Sequence, residues 1–320
     1  MSVLGHLKNP DSEISLFLGR HLPGVEEGTG RWRASLNQVT PVAVPVPPGR
    51  CAVLGAAFEY CVGLDLATAP PYVYLLDALP PDDAARIMRA AGFAPPHEAA
   101  EIQDTSFSTW LRCALPGHRD DAVLLAGGWY MADLEELAFK LGPDGLRALL
   151  PRVWETNPTT MRLSLQNADN LRTLWSDYRN RFRAELVALG DRVVLAPWFA
   201  DGFGIGDLIA GRTLLDIKVS ADPAPNLNLW LLQLLSYVLL DTDDQFALDA
   251  VGLYLPRQRR LLRWELDHLL SCLADEAVDL HALRRGFAEV ARPAVDESRE
   301  YRRTRTENAA KVGLACRAAT

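Results

Sequence analysis

The chain has 320 residues, is 49% hydrophobic and 23% charged, and carries a net charge of −8. This is the composition of a globular protein with one large core or two smaller ones. The negative balance argues against a surface coated in positive charge for non-specific nucleic-acid binding. No apolar run reaches membrane-spanning length, because Asn228, Gln233, Ser236 and Tyr237 interrupt the strongest one, Leu227–Leu240.

The first twenty residues lack a basic start followed by an apolar core, so no secretion signal is expected. Five scattered cysteines form no CxxC pair, which predicts neither a zinc knuckle nor a disulfide framework and fits a reducing cytoplasm. The six histidines show no ligand-like spacing. There is no GxxxxGK[ST] loop and no G-x-S-x-G elbow, so neither a P-loop motor nor a serine hydrolase is indicated.

In chain order, Ile14–Leu18 has a short helical pattern, and a Pro-rich connector, Pro41 to Gly49, is expected to be extended. Residues 51–67 read as a helix, with Val53, Leu54, Ala57, Phe58, Cys61 and Leu64 at helical spacing and Pro70-Pro71 as the stop. Helices are also expected at 82–92, 97–115 and Met131–Leu141, the last ended by Gly142-Pro143. An Arg-rich amphipathic helix is expected over Asp169–Leu189. A β region follows from Arg192 to Val219, broken at Pro197 and at Asp201-Gly202. The apolar helix 227–240 comes next. Ala247–Leu255 alternates like a strand, and Leu261–Glu265 reads as its partner across an Arg-rich turn. Helices are expected to finish the chain. The order helix, helical insert, β-hairpin, helix, β-hairpin predicts an α/β sheet flanked by helices. No long flexible linker is visible, so a single domain, 1–320, is expected. Its core elements would be 51–66 and 192–265, with a helical insert at about 82–190 and a helical C-terminal extension at about 266–320.

The chemistry-bearing residues gather near Asp216. A strand-like stretch, Gly204 to Ile209, carries Asp207, and a turn at Ala210-Gly211-Arg212 leads to a second strand, Thr213 to Val219, carrying Asp216-Ile217-Lys218. Alternation along a strand puts Asp216 and Lys218 on one face and Ile217 on the other. If Gly211-Arg212 is a type II′ turn, Asp207 lies opposite Asp216. If Ala210-Gly211 is the turn, Asp207 lies opposite Leu214, still on the face of Asp216. Either register brings two carboxylates and a lysine together, a plausible site for Mg²⁺ or Mn²⁺. Such an ion would lower the pKa of a bound water and neutralise phosphate charge, while Lys218 would orient that water or stabilise developing negative charge. The competing reading of Asp216-x-Lys218 is a plain ion pair.

Gln233 and Tyr237 share one face of the apolar helix, with Ser236 beside them. A buried polar stripe needs partners, from the sheet or from a substrate. Glu59 is one carboxylate among apolar residues in Gly55-Ala-Ala-Phe58-Glu59-Tyr60. Asp207, Asp216-x-Lys218 and Gln233-xxx-Tyr237, in that order, resemble the PD-(D/E)xK nuclease superfamily, and within it the RecB-like branch. The resemblance covers about 51–66 and 192–265 and leaves the insert unexplained. The usual Pro before the first strand carboxylate is replaced by Ile205-Gly206.

The resemblance implies a restriction-endonuclease-like mixed β-sheet core and a Mg²⁺- or Mn²⁺-dependent enzyme that cuts DNA in repair, recombination or defence against foreign DNA. Asp207, Asp216 and the Ile217 carbonyl would hold the metal, with Glu59 reaching it directly or through water. Lys218 would act on the nucleophile, and Gln233 and Tyr237 would position the strand. DNA is the expected partner, with repair or defence proteins as further candidates and no membrane. The alternative is a catalytically inactive nuclease fold that binds nucleic acid or a partner. Residues 257–320 hold 13 Lys/Arg against 10 Asp/Glu. Arg257, Arg259, Arg260 and Arg263, and the tail Arg299, Arg302, Arg303 and Arg305, are candidate phosphate contacts, against the plainer reading of a solvated helix surface.

Overall fold

The structure is a computed structural model that describes residues 2–44, 50–66, 170–274 and 278–318, with side chains to 304 in the last helix. It also describes residues 121, 124–125, 128–129, 132–133 and 136. The helices expected at 82–92 and 97–115, most of 131–141 and the prolines of the 45–49 connector lie outside the described residues. The chain divides into two compact units, Met1–Ala43 with Asp177–Arg302, and Val44–Ser176 with Arg303–Thr320. No helix among the described residues is long and apolar enough to cross a membrane.

The first unit opens with three helices, α1 (Val3–Leu7), α2 (Glu13–His21) and α3 (Val25–Asn37). Ser12 caps α2 by accepting a hydrogen bond from the Ser15 N–H at 3.1 Å. Sequence reading found only part of α2. Helix α3 contains Gly28 and Gly30, which weaken intrinsic propensity. Packing forms it instead. A Cβ on Gly28 would lie 2.7 Å from Leu273 Cδ2, so the glycine lets α3 sit close against the helix that carries Leu273.

In the second unit, α4 (Cys51–Leu66) is the helix expected at 51–67. Residues 170–187 are helical, as the Arg-rich segment predicts, with a π-helical turn at Tyr178–Phe182 before α5 (Arg183–Val187). This helix belongs to the first unit from Asp177 onward.

Seven strands follow: β1 (Val193–Leu195), β2 (Trp198–Phe199), β3 (Gly204–Ile205), β4 (Leu208–Ala210), β5 (Thr213–Ile217), β6 (Ala250–Leu255) and β7 (Arg260–Glu265). The breaks fall near Pro197 and at 200–202, as expected. The stretch 204–209 is not one strand, however. It splits at Gly206-Asp207, and the chain passes from the small β2–β3 hairpin into the main sheet. The main sheet is mixed, in the order β1-β4-β5-β6-β7. Only β5 and β6 are parallel; the other neighbours are antiparallel. A parallel pair needs a crossover, and α6 (Leu227–Leu240) supplies it.

Alternation along β6 gives the sheet two packed faces. Val251, Leu253 and Leu255 join the leucines of α6 in the main core. Tyr254 points the other way and packs on Phe182, with ring centroids 4.8 Å apart. All six β6 residues are buried. The apolar/polar alternation read over Ala247–Leu255 therefore does not mark an exposed face, because a parallel pairing in mid-sheet leaves none. Helices α7 (Leu266–Leu273) and α8 (Leu280–Ala318) close the described chain.

The C-terminal end of α6 is tied to α8 by a buried arginine. Arg284 is 2% exposed; its Nε donates to the Val238 carbonyl (3.1 Å) and its Nη1 to Asp244 Oδ1 (2.9 Å). Its Nη2 lies 4.0 Å from Asp241 Oδ2. Asp241 in turn accepts from the N–H groups of Gln245 (2.9 Å) and Phe246 (3.2 Å). Removing one partner of such a set leaves buried charge uncompensated. Arg284→Met should therefore cost about 3–5 kcal/mol in urea unfolding. A loss within about 0.5 kcal/mol, the range of an ordinary surface change, would contradict the clamp.

Candidate functional site

The β4–β5 hairpin sets the register. Ala210 pairs with Thr213 and Leu208 with Leu215, so Gly211-Arg212 is the two-residue turn. Gly211 has φ +59, while Arg212 is absent from the positive-φ residues. Positive φ at the first central position alone is the type II′ pattern. Any side chain at 211 would also collide with the Leu189 carbonyl oxygen. Continuing the register one step places Asp207 opposite Asp216, the first of the two arrangements that the sequence left open.

Asp216 is 1% exposed at the carboxyl end of β5, on the face of Leu214 and α6. Neither of its oxygens accepts a hydrogen bond. Lys218 Nζ stands 2.6 Å from Asp216 Oδ2 and supplies charge without hydrogen-bond geometry. The Lys218 side chain keeps 23% exposure. Asp207 Oδ2 accepts the Ile217 N–H at 2.6 Å, which fixes the first carboxylate against the strand bearing the second. The two carboxyl groups are close enough to share a hydrogen bond when one is protonated. Desolvation, then the charge of Asp216, pushes the Asp207 pKa up to about 7, against the opposing pull of Lys218 and the Ile217 N–H.

That shift has a sign that can be measured. With a raised carboxyl pKa the folded chain holds a proton that the unfolded chain gives up near pH 4. The contribution of Asp207 to metal-free stability should be fully present below that point and be lost as pH rises toward about 7. The loss should be roughly 2–4 kcal/mol by pH 8. Urea unfolding in chelator of wild type and Asp207→Asn reads the contribution of the Asp207/Asp216 pair, because titrating groups away from the pair cancel in the difference. Parallel stability–pH curves for the two proteins would contradict the shift.

Helix α6 brings its polar pair to this end of the sheet. Gln233 Nε2 donates to the Tyr237 hydroxyl at 2.7 Å, leaving Gln233 Oε1 buried without a partner. Burial, with the charge of Asp216 next, raises the Tyr237 pKa, so the hydroxyl keeps its proton. Since it accepts from Gln233, that proton is directed elsewhere. Ser236 leaves the stripe: its Oγ donates to the Leu232 carbonyl, one turn back, at 2.7 Å. Tyr237 is held by residues that the sequence did not single out for that purpose. Phe199 stacks on its ring, 5.5 Å between centroids and 4° from parallel. Gly204 lies against it, where a Cβ would meet Tyr237 Cδ1 at 2.7 Å and Cε1 at 2.8 Å.

A second tie fixes the loop after Lys218. The Lys218 N–H donates to the Tyr254 carbonyl at 2.9 Å. Gln258, 3% exposed in the β6–β7 turn, donates through Nε2 to the carbonyls of Ser220 (3.0 Å) and Ala221 (3.1 Å). Nothing in the local sequence around Gln258 signals this.

Asp207, Asp216, Ile217, Lys218, Gln233 and Tyr237 all belong to the first unit. Glu59 lies half-buried on α4 in the second, and its assignment stands on the sequence alone. Among the described residues no three His, Cys, Asp or Glu side chains converge as a metal-ligating group. A closed protein cage is thus not formed by them. A hard cation that keeps several waters needs only one or two carboxylates, and Asp216 and Asp207 stand together here.

Most candidate phosphate contacts already have protein partners. Arg257 Nε donates to the Val42 carbonyl at 3.0 Å, and Arg259 pairs with Asp177 at 2.7 Å. Arg263 donates to Thr213 Oγ1 at 3.0 Å and pairs with Glu265. Arg299 bridges Asp201 and Asp296. No family model matches the chain, and no curated protein or solved structure does either.

Proposed function

We propose that this chain is a Mg²⁺- or Mn²⁺-dependent nuclease of the PD-(D/E)xK type that hydrolyses DNA phosphodiester bonds. One observation carries the reading: Asp216, 1% exposed, stands beside the Asp207 carboxyl, with the Lys218 ammonium 2.6 Å from Oδ2 as the charge set against the two acids. Two carboxyl groups against one ammonium leave negative charge that a divalent cation would offset. The mixed sheet, with the Asp207/Asp216 hairpin followed by a crossover helix and a parallel strand, accords with a restriction-endonuclease-like core.

Asp207 and Asp216 would hold the cation, and the Ile217 carbonyl would be the further ligand that the resemblance implies. A divalent ion there would supply charge neutralisation at the phosphate and acidify water. Lys218, partly exposed at the rim, would stabilise negative charge that develops on the phosphate oxygens. Tyr237, kept protonated, would donate to the backbone of the strand, with Gln233 fixing its hydroxyl.

The second reading draws on the 2.6 Å Lys218–Asp216 contact: a structural ion pair in a protein without activity, or a nuclease fold retained for binding. Thermal unfolding with and without Mn²⁺ separates the readings, run beside a cleavage panel of linear, circular and single-stranded DNA and of RNA. The nuclease reading expects Mn²⁺ to raise the Tm and DNA to be cut. No gain in Tm and no cut substrate would leave the second reading in place.

A further inference from the structure

Trp198 is the one indole among the exposed large apolar side chains described, at 41% exposure. It stands on the β2–β3 hairpin, and its surroundings are built rather than loose. Phe199, the next residue, is buried and stacked on Tyr237, so the hairpin is docked against the site helix. Trp198 pairs with Ile205, which is two residues, roughly 7 Å of chain at about 3.3 Å each, ahead of Asp207. The turn that presents it runs through Ala200 (φ +47) and Asp201 (φ +54), two consecutive non-glycine residues in left-handed backbone. Such strain persists only where the surroundings enforce it, and it concentrates at working surfaces.

Gly202 follows at φ +80, and a Cβ there would meet Trp198 Cε3 at 2.8 Å and collide with the Arg302 guanidinium. The glycine thus makes room for Arg302, whose Cζ lies 5.5 Å from the centre of the indole. Arg302 Nη2 donates to Ser298 Oγ at 2.9 Å, and Arg299, three residues earlier, grips Asp201 of the strained turn at 3.0 Å through Nε. Tyr301, the preceding residue on α8, is 65% exposed.

Exposed aromatic faces interleaved with arginine suit one chemistry in particular. Bases of a single strand stack on the rings, and the guanidinium answers the phosphates. A duplex hides its base faces and cannot use the indole in this way. We infer that Trp198, with Arg302 beside it, is a base-stacking platform that seats a single DNA strand next to the Asp207/Asp216 site. The platform makes single-stranded or frayed DNA the substrate class. That assignment of substrate rests on the nuclease reading; the binding surface itself does not.

The test is binding without catalysis. Fluorescence anisotropy in chelator, with the full chain, compares a labelled oligothymidylate with a blunt duplex for wild type, Trp198→Ala and Trp198→Phe. Trp198→Ala should weaken oligothymidylate binding about tenfold, the scale of one lost base stack. Trp198→Phe, which keeps an aromatic face and guards against misfolding as the cause, should recover most of it, and duplex binding should not change. A wild type that does not bind the strand, an alanine variant that binds it as well as wild type, or an equal loss on duplex each overturns the platform. A Mn²⁺ thermal shift on the same proteins keeps the two ideas apart. Strand binding lost in Trp198→Ala, from a wild type that Mn²⁺ does not stabilise, would sustain the platform and remove the nuclease reading. Stabilisation by Mn²⁺ with strand binding indifferent to Trp198 would do the reverse.

Discussion

Asp216→Asn should abolish metal-dependent cleavage while leaving the chain folded. The substitution keeps the shape of the side chain and removes its charge. In the metal-free protein that charge is a burden: the carboxylate is 1% exposed, neither oxygen accepts a hydrogen bond, and its field helps to raise the Asp207 pKa. Deleting it relieves the repulsion between the two acids, so the Tm in chelator should hold or rise. Wild type should gain about 2.7 kcal/mol from Mn²⁺ at a hundred times its Kd. The variant should gain almost none of this. Calorimetry with and without Mn²⁺, beside a DNA cleavage assay, reads both quantities. A variant that still cuts DNA in Mn²⁺ would remove Asp216 from the metal site. A sharp fall in metal-free Tm would show instead that the Lys218 ion pair holds the strand in place.

How much of this was legible in the sequence depends on whether a feature is local. That Asp207 and Asp216 share a face follows from a turn at Gly211 and from alternation along β5, in either of the two registers the sequence left open; the pairing of Ala210 with Thr213 chooses between them. The helix 227–240, the β6–β7 pair and the breaks near Pro197 and Asp201-Gly202 are written in runs of a few residues. Helix α3 is not, because its glycines lower its propensity and its stability comes from Leu273, far away in sequence. The sheet switch at Gly206-Asp207 is also hidden, since Gly204 to Ile209 reads as one strand until Phe199 and Tyr237 claim Gly204. The same holds for Arg284 and Gln258. Each is an ordinary polar residue in its own segment and becomes structural through partners 46 and 38 residues away. Polar groups that tie distant segments leave no periodic mark. Strand alternation was enough to bring Asp207, Asp216 and Lys218 together in advance. The supports that hold Tyr237 and the loop after Lys218 could not be placed in that way.

Lys218→Met should abolish cleavage and, in the same protein, tighten metal binding. From sequence alone lysine is simply not a ligand, so its removal would leave metal affinity as it was. The structure changes that expectation. With Nζ 2.6 Å from Asp216 Oδ2, the ammonium already occupies the neighbourhood that a cation would enter. A divalent ion must displace Lys218 or tolerate its charge, and like charges at such range repel strongly in a site this dry. Methionine keeps the bulk of the stem and removes the competitor. Two effects of opposite sign follow. In chelator, Asp216 loses the ammonium beside it and the fold should weaken by about 3 kcal/mol, as when one partner of a buried pair is deleted. In Mn²⁺ about 1.4 kcal/mol of that loss should be recovered relative to wild type, from a Kd lowered roughly tenfold. Isothermal titration with Mn²⁺ and urea unfolding in chelator measure the two separately. An unchanged Kd would show that lysine and metal do not compete, and an unchanged stability would show that Asp216 draws its compensation from elsewhere.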